Sequence, residues 1–281
     1  MKTYLDCIPC FFNQALRAGR IAKCDENKIK KLLDEIGMIL RDIPLESTPP
    51  ETGMLIYENV RKITGIFDPY KEIKRANTKE ALSLYDSLNN KVEMSNDKLL
   101  TAIRISIAGN VIDFGVNRKF DIKDEIDKIL KKDFAIFDYN EFKNNLAKTD
   151  NILYIGDNAG ESVFDKILME EMKKPVIYVV REVPVINDVT YEDAIQAGID
   201  KVARIFSSGT SAPGTVIKTC SDEFIKLYKN SKFIISKGQG NYEGLSEERY
   251  PIFFLLKVKC WVIANDIGVK EGDIILKSIN I

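Results

Sequence analysis

The first half of the chain has apolar residues at helical spacing. In residues 27–40 they stand three or four positions apart, at Ile29, Leu32, Leu33, Ile36 and Leu40. This spacing places them on one face of an amphipathic helix. A stretch with three prolines at residues 43–50 then interrupts the pattern. We predict further helices at residues 51–63, 69–89, 96–116 and 123–131.

The second half has a different pattern, in which short apolar runs alternate with polar, helix-like stretches. The runs predict strands at residues 152–155, 176–180, 202–205, 233–235, 253–258 and 274–276. The stretches between them predict helices at residues 161–172, 191–197, 216–227 and 260–266. Such alternation is typical of a mostly parallel sheet with helices on both faces. We therefore expect an α/β protein with a helical domain at residues 1–133, a three-layer α/β/α domain at residues 134–281, and a cleft between them.

Composition narrows the class of protein. The 281 residues include 41 basic and 42 acidic side chains, and this balance indicates no general attraction to nucleic acid or anionic membranes. No apolar run approaches the roughly 20 residues that span a bilayer, and the first residues lack the apolar core of a signal peptide, which favours a cytoplasmic protein. The five cysteines are an odd number, which argues against a secreted disulfide framework. The sequence has no histidine, so Ser-His-Asp hydrolases and histidine-bound zinc enzymes are excluded.

Polar residues follow the first strand predicted in this second half. The segment GDNAGE, at residues 156–161, comes directly after that strand and opens a helix. Asp157 and Asn158 offer adjacent hard oxygen ligands, which suit Mg²⁺ or Mn²⁺. The start of the helix adds backbone N–H groups that favour an anion such as phosphate. The alternative interpretation is that Asp157 or Asn158 only caps the helix.

A further acidic residue, Asp188, follows the next predicted strand. If the two strands are neighbours, Asp188 lies at the same edge of the sheet as Asp157. A second carboxylate would offset more of the charge of a divalent cation. The alternative is again a helix cap, here for the helix predicted over residues 190–197.

Two glycine-containing segments follow later predicted strands. In SKGQGNYE, Lys237 could neutralise phosphate oxygens, and the glycines would let backbone amides approach them. Asn241 and Glu243 could bind sugar hydroxyls or a water molecule. The loop around Gly209 could add hydroxyl and amide donors to a phosphate. The alternatives are a surface turn for the first segment and an ordinary connecting loop for the second.

Two other features allow both a structural and a functional interpretation. Asn110 and Asp113 are three residues apart, so on a helix they share one face and could reach into the cleft; a close helix contact is the alternative. The pair Cys7 and Cys10 could serve redox or metal chemistry, or could be a helix-entry turn with buried thiols. Trp261 is interpreted as a core residue.

Taken in order along the chain, these motifs resemble those of a known family. A Cys-x-x-Cys pair, GNVID, GDNAGE, an Asn-Asp pair and KGQGNYE together look like the damage-control phosphatase family, earlier described as domain of unknown function 89. The resemblance covers nearly the whole chain. The cysteine pair is similar to that of the first subfamily, and the Arg-Thr-x-Lys signature of another subfamily is absent.

The resemblance implies a helical domain beside an α/β/α sandwich and a phosphatase acting on sugar phosphates or damaged phosphometabolites. It implies that the metal ligands are Asp157, Asn158 and Asp188, with Mn²⁺, Ni²⁺, Co²⁺ or Mg²⁺ as the cofactor. It also implies substrate contacts from Lys237 and from the segment that contains Gln239, Asn241 and Glu243.

We therefore expect hydrolysis of a small phosphorylated metabolite, with neither nucleic acid nor membrane as a partner. Asp157 would activate or orient the attacking water, and Lys237 would stabilise charge on the phosphate. Two other functions stay open. One is an S-adenosylmethionine-dependent carboxyl methyltransferase, although the first α/β turn lacks the closely spaced glycines of an adenosyl-cofactor site. The other is a non-enzymatic protein that binds a metal or a metabolite.

Overall fold

The computed structural model describes residues 1–110 and 122–281 of the chain. As predicted, the described residues before position 133 are mainly helical. The helices are α1 (Cys7–Ile21), α2 (Glu26–Asp42), α3 (Pro49–Thr64), α4 (Lys71–Glu93), α5 (Lys98–Gly109) and α6 (Ile122–Lys131). The helix predicted over residues 96–116 is confirmed in α5, and residues 111–116 lie outside the described residues.

Local signals explain where two of these helices begin. The Asp25 carboxylate accepts a hydrogen bond from the backbone N–H of Lys28 at 2.8 Å and caps α2. At α3, the Glu51 carboxylate accepts from the backbone N–H of Thr48 at 2.5 Å, and prolines occupy the first turn, where a missing N–H has no partner to lose. The prolines that interrupt the helical pattern therefore also begin the next helix.

The described residues of the second half contain one seven-stranded sheet. Its strands are β1 (Phe134–Phe137), β2 (Ile152–Ile155), β3 (Val176–Val180), β4 (Arg204–Ser207), β5 (Ile234–Lys237), β6 (Ile252–Lys257) and β7 (Ile274–Ile279). Their order across the sheet is β1-β7-β6-β5-β2-β3-β4. Strands β2 to β6 are parallel, whereas β7 is antiparallel to β6. The prediction of a mostly parallel sheet is confirmed.

The order of the strands locates the predicted site. From β2 the chain proceeds to β3 and β4 on one side, and β5 then pairs with β2 on its other side. Ligands in such sheets bind at the carboxyl ends of the strands, where the order reverses. The helices of this half are α7 (Tyr139–Lys148), α8 (Ser162–Met172), α9 (Tyr191–Gln196), α10 (Asp222–Asn230), α11 (Gly238–Leu245) and α12 (Trp261–Ile267). The connections after β2, β3 and β5 therefore meet at one edge.

Some element predictions were wrong. Strand β1 and helix α7 were not predicted, because β1 is short and only alternately half-buried, without a continuous apolar run. Strand β4 begins two residues later than predicted. The helix predicted over residues 216–227 is a short 3₁₀ turn followed by α10, which the Ser221 side chain caps by accepting from the Phe224 N–H at 3.2 Å.

The glycine-containing segment after β5 forms helix α11, which was not predicted, so the surface-turn alternative for this segment is wrong. A Cβ atom at Gly240 would overlap the carbonyl oxygen of Pro213, and one at Gly244 would overlap that of Thr215. These glycines allow α11 to pack closely on the loop after β4.

Separate hydrophobic clusters cover the two faces of the sheet. One joins α4, α5 and α6 to one face, with Ile103 and Tyr154 among its residues. Another joins α10, α11 and α12 to the opposite face, with Phe224 and Ile155 among its residues. The α/β/α layering is therefore confirmed, and the domain boundary between residues 133 and 134 stays a prediction. Within residues 1–110 and 122–281, no helix has the length and apolarity that crossing a membrane requires.

Candidate active site

Backbone pairing joins the loops that follow β2 and β3. Asn158 and Asp188 form an isolated antiparallel bridge, and the N–H of Val189 donates to the Asp157 carbonyl at 2.8 Å. The pairing holds the side chains of Asp157, Asn158 and Asp188 in one place, and each is less than a tenth exposed. The structure thus brings together the three residues predicted as metal ligands.

Hydrogen bonds occupy one polar atom on each of these three side chains. Asp157 Oδ2 accepts from the side-chain amides of Asn110 (2.8 Å) and Asn158 (2.9 Å). Asp188 Oδ2 accepts from Nε of Arg181 at 2.8 Å. In a primary amide the oxygen points away from the NH₂ group, so Asn158 keeps its Oδ1 for another partner. The Oδ1 atoms of the three residues are the groups with which they could bind a cation.

Glu161, to which the sequence interpretation gave no role, lies next to these residues and is fully buried. Its Oε2 accepts from the amides of Asn110 (2.8 Å) and Asn158 (3.0 Å), and its Oε1 accepts from Lys237 (2.6 Å). Glu161 therefore fixes the two amides that bind Asp157. Its place at the end of GDNAGE, directly before α8, is the sequence signal that could have identified it.

Lys237 is fully buried, and its ammonium group donates three hydrogen bonds. The acceptors are the Ser106 carbonyl (3.0 Å), Glu161 (2.6 Å) and Asp165 (2.5 Å), which use all three donors. Burial lowers the pKa of Lys237, but the charges of Asp165 and Glu161 outweigh burial and raise the pKa above its ordinary value. We therefore correct the prediction that Lys237 contacts phosphate. Lys237 instead holds Glu161 and Asp165 in place beneath the site.

Asp165 connects Lys237 to the sheet. Its Oδ1 accepts from the hydroxyl groups of Ser106 (2.8 Å) and Tyr154 (2.7 Å), and its Oδ2 accepts from Tyr178 (3.0 Å). Burial raises the pKa of Asp165, and the charge of Lys237 opposes this rise. Every oxygen of this carboxylate is thus hydrogen-bonded, as a buried charge requires.

Arg181 is a second buried cation that the sequence interpretation missed. It directly follows β3, and a charged residue at the end of an apolar run was the available signal. Besides Asp188, it donates to Thr215 (3.1 Å) and to the Asn241 side-chain oxygen (2.8 Å). The Asn241 amide in turn donates to the Lys237 carbonyl at 2.7 Å. Asn241 is fully buried, so its predicted substrate contact is corrected to a structural link.

The buried network contains more acidic than basic groups. Its carboxyl groups are Asp157, Glu161, Asp165 and Asp188, and its cationic groups are Lys237 and Arg181. Burial raises the pKa of Asp157 well above its ordinary value, and the charges of Glu161 and Asp188 raise it further. Burial raises the pKa of Asp188 as well, with Arg181 opposing the rise. The network thus has two more carboxyl groups than cations, and a bound cation would favour the ionised forms of Asp157 and Asp188.

The donor atoms fit a hard cation. Two carboxylates and an amide oxygen are ligands that Mg²⁺ and Mn²⁺ accept. The side-chain oxygen of Asn110 is also buried and has no hydrogen-bond partner among the described residues. Those residues contain no group of three or more His, Cys, Asp or Glu side chains placed to hold a metal ion. The candidate set therefore depends on Asn158 as its third member.

Two backbone conformations shape the site. Gly238 has a φ of +77°, and a Cβ atom there would overlap the Asp157 carboxylate. Ile186 has a φ of +46°, which is rare for a β-branched residue and costs about 1–3 kcal/mol. Ile186 lies in the connection that presents Asp188, and such strain is often found at functional sites.

A cavity of about 420 Å³ lies at this edge of the sheet, and the three candidate metal ligands line it. Gln239 and Glu243, predicted to contact substrate, line it as well. Lys259 is the one lysine or arginine among the described lining residues. Its charge opposes the rise in the pKa of Asp157, as expected for opposite charges near each other. Lys259 directly follows the strand predicted at residues 253–258, and this position is the signal that could have identified it.

Asn110 and Gly209, which were also predicted to contact substrate, are not among the described residues that line this cavity. Asn110 instead holds Asp157 from the side. Gly209 has a φ of +77°, and a Cβ atom there would meet the backbone of Ser221 at 2.7 Å, so its role is to permit a turn. Asp113 lies outside the described residues.

Trp261 was expected in the core, but 57% of its surface is exposed and it lines the cavity. Three thiols, Cys7, Cys10 and Cys260, line the cavity too. Cys7 begins α1, as the helix-entry interpretation predicted, whereas Cys10 is exposed rather than buried. Burial raises the pKa of Cys7 to about 11, so this thiol is protonated at neutral pH.

The chain is thus an α/β/α protein with a cavity at the carboxyl edge of a mostly parallel sheet, where ligands bind in proteins of this class. Residues 3–275 match the family model of the damage-control phosphatase ARMT1-like domain, and the chain belongs to this family. The family predicted from the motifs is confirmed. The narrower assignment to the first subfamily stays a prediction.

Three archaeal proteins are similar along nearly their whole length. The chain is 37% identical to an uncharacterized protein of Methanocaldococcus jannaschii, over 98% of this chain and 95% of that protein. It is 34% identical to a damage-control phosphatase of Pyrococcus horikoshii (98% and 97% covered) and to one of Archaeoglobus fulgidus (99% and 99%). The crystal structure of a DUF89 family protein from Pyrococcus horikoshii matches with a TM-score of 0.90, 34% identity and 99% of both chains covered.

Proposed function

We propose that the protein is a divalent-metal-dependent phosphomonoester hydrolase that acts on small phosphorylated metabolites. Membership of the family and the names of the Pyrococcus and Archaeoglobus relatives support phosphatase activity. The observation that carries the metal dependence is the position of Asp157 and Asp188 on the wall of a cavity, in a buried network with more carboxyl groups than cations.

Asp157, Asn158 and Asp188 would hold the cation through their Oδ1 atoms. Mn²⁺, Mg²⁺, Co²⁺ and Ni²⁺ all accept such donors. When bound, the cation would stabilise charge on a phosphoryl oxygen and lower the pKa of a water molecule. Arg181 and Glu161 keep the ligands in place through the hydrogen bonds described above.

The other parts of the reaction fall to the protein's own residues. Lys259 attracts the phosphate and neutralises charge on its oxygens. Asp157 orients the attacking water, since the chain has no histidine to do so. Gln239 and Glu243, on the cavity-facing side of α11, contact the organic part of the substrate.

Hydrolysis of p-nitrophenyl phosphate by the purified protein tests this proposal. We expect turnover with Mn²⁺ and none after a chelator removes the metal. Asp157→Ala should lower kcat/KM by at least ~100-fold, because it removes an ionic ligand from the transition state. The matched control is Asp34→Ala, which removes an exposed carboxylate on α2 and should leave turnover unchanged.

Isothermal titration calorimetry with Mn²⁺ measures metal binding independently of turnover. We expect one strong site in the wild-type protein and its loss in Asp157→Ala. Full activity in the presence of chelator, or near-normal turnover of Asp157→Ala at saturating Mn²⁺, would overturn the proposal. A stoichiometric, metal-independent titration with S-adenosylmethionine would favour the methyltransferase instead.

A further inference from the structure

Trp261 is the chain's one tryptophan, and it is exposed at the cavity. It begins α12, whose next residues, Val262 and Ile263, are buried against the sheet. The helix is therefore anchored without the indole ring. Aromatic side chains are common on the walls of ligand-binding cavities.

The position of Trp261 relative to Lys259 suggests which part of a ligand it meets. Between them, Cys260 has extended backbone, with φ −145° and ψ 159°. Side chains two residues apart on extended backbone point to the same side, roughly 6–7 Å from each other. Both side chains line the cavity. The ester substituent of a phosphate held by Lys259 can therefore reach the indole ring.

The rest of the cavity indicates the chemistry of that substituent. The volume of about 420 Å³ exceeds what a phosphate group fills. Phe11, Pro50 and Pro213 add apolar surface to the lining, while Asp6 and Glu243 add carboxyl groups. The Asp6 carboxyl group disfavours a second phosphate, and the apolar residues favour an uncharged ring.

We propose that the site takes phosphate monoesters whose alcohol carries a neutral aromatic or heteroaromatic ring, and that Trp261 binds this ring by stacking. The inference rests on the proposed phosphatase function, because it assumes that the phosphate binds beside Lys259. Trp261 then determines affinity for the organic group and takes no part in the chemical step.

Two phosphonates, which the enzyme cannot hydrolyse, test the contact directly. Phenylphosphonate carries an aromatic ring, and methylphosphonate is its aliphatic match. With Mg²⁺ present, we expect phenylphosphonate to change the emission of Trp261 saturably, and methylphosphonate to bind by calorimetry without that change. Since Trp261 is the single tryptophan, the emission reports this position alone.

Substitution of the indole separates stacking from phosphate binding. Trp261→Ala should raise the Kd of phenylphosphonate about 5- to 150-fold, the range for loss of one stacked aromatic ring, and change that of methylphosphonate less than about twofold. Trp261→Phe should restore most of the affinity, whereas Trp261→Leu should not. Equal effects on both phosphonates, or equal affinity of the wild type for both, would overturn the inference.

Kinetics distinguish failure of this inference from failure of the proposed function. Trp261→Ala should raise KM for phenyl phosphate and not for glycerol phosphate, with kcat unchanged for both. Hydrolysis of both esters with the same response to Trp261→Ala would overturn the stacking inference alone. If Trp261→Ala raised KM for glucose 6-phosphate as much as for phenyl phosphate, the assignment of an aromatic ring would be overturned. If phosphonate binding depended on the ring but neither ester were hydrolysed, only the proposed phosphatase function would be overturned.

Discussion

Gly238 packs directly against the carboxylate of Asp157, at the point where β5 and β2 are neighbours in the sheet. The left-handed backbone of Gly238 and the space left by its missing Cβ are both required for this contact. The first residue of α11 and the principal candidate ligand thus determine each other's positions.

Replacement of Gly238 tests this relationship. Gly238→Ala should cost about 1–2 kcal/mol through backbone strain and displace the Asp157 side chain, so that Mn²⁺ affinity is lost. The matched control is Gly268→Ala, because Gly268 has a similar φ of +82° but nothing within 4 Å of its Cβ position. Urea unfolding should show strain in both variants, and calorimetry should show loss of Mn²⁺ binding only in Gly238→Ala. Retained binding in that variant would contradict the packing argument.

The buried ammonium of Lys237 is expected to matter for stability. Lys237→Met leaves Glu161 and Asp165 without their cation, and such loss of a buried partner costs about 3–5 kcal/mol. Lys30→Met is the control, since it removes an exposed ion pair whose contribution is below about 1 kcal/mol. Urea unfolding in the presence of EDTA measures both. A cost for Lys237→Met no larger than that of the control would show that the two carboxyl groups do not need this charge.

Lys259 is expected to act on phosphate binding rather than on metal binding. Lys259→Met should raise the inhibition constant of inorganic phosphate about 10- to 100-fold, the range for loss of a charge-assisted hydrogen bond, and leave Mn²⁺ affinity nearly unchanged. The exposed Lys270→Met should change neither quantity. An unchanged inhibition constant for Lys259→Met would mean that another group binds the phosphate.

Glu243 gives the protein a pH-dependent stability. Burial raises the pKa of this carboxyl group to about 7, although the Gln239 side chain and the N-terminal amino group oppose the rise, and Asp266 adds to it. As pH rises from about 4.5 to 7, the unfolded chain loses this proton while the folded chain retains it, so the free energy of unfolding falls. The fall is at most about 3 kcal/mol.

The Glu243→Gln variant has no carboxyl group at this position, so it should lack this pH-dependent contribution to the free energy of unfolding. Urea unfolding at pH 5 and pH 8 measures it: the free energy of unfolding should decrease more for the wild type than for the variant between these two values. Parallel changes in the two proteins would show that Glu243 ionises normally in the folded state. The comparison within one pair of proteins removes the contributions of other titrating groups.

The sequence predicted the position of the site because parallel strands impose it. Once β2 and β3 are neighbours, polar residues after both strands meet at one edge, so Asp157 and Asp188 could be paired from spacing alone. Strands that are buried on both faces have continuous apolar runs and were predicted from them. Strand β1 alternates in burial and was not predicted.

The roles of individual charges could not be obtained in this way, because they depend on which face of an element meets which neighbour. Lys237 continues the face of β5 on which Ile235 packs beneath α5 and α8, and this direction encloses its ammonium group. Trp261 is outside the core because α12 packs on the sheet through Val262 and Ile263 instead. Burial of Arg181 likewise depends on Asp188 and Asn241, which come from separate parts of the chain.

The hydrogen-bonded charges under the cavity constrain which substitutions this part of the protein can accept during evolution. Glu161 and Asp165 each accept from at least two donors, so a single replacement leaves a neighbour uncompensated in a dry environment. Exchange of Lys237 for an apolar residue becomes tolerable only together with exchange of Asp165 or Glu161. Diversification of the enzyme is therefore easier at the cavity wall formed by α1 and α12, where substitutions can be accepted one at a time.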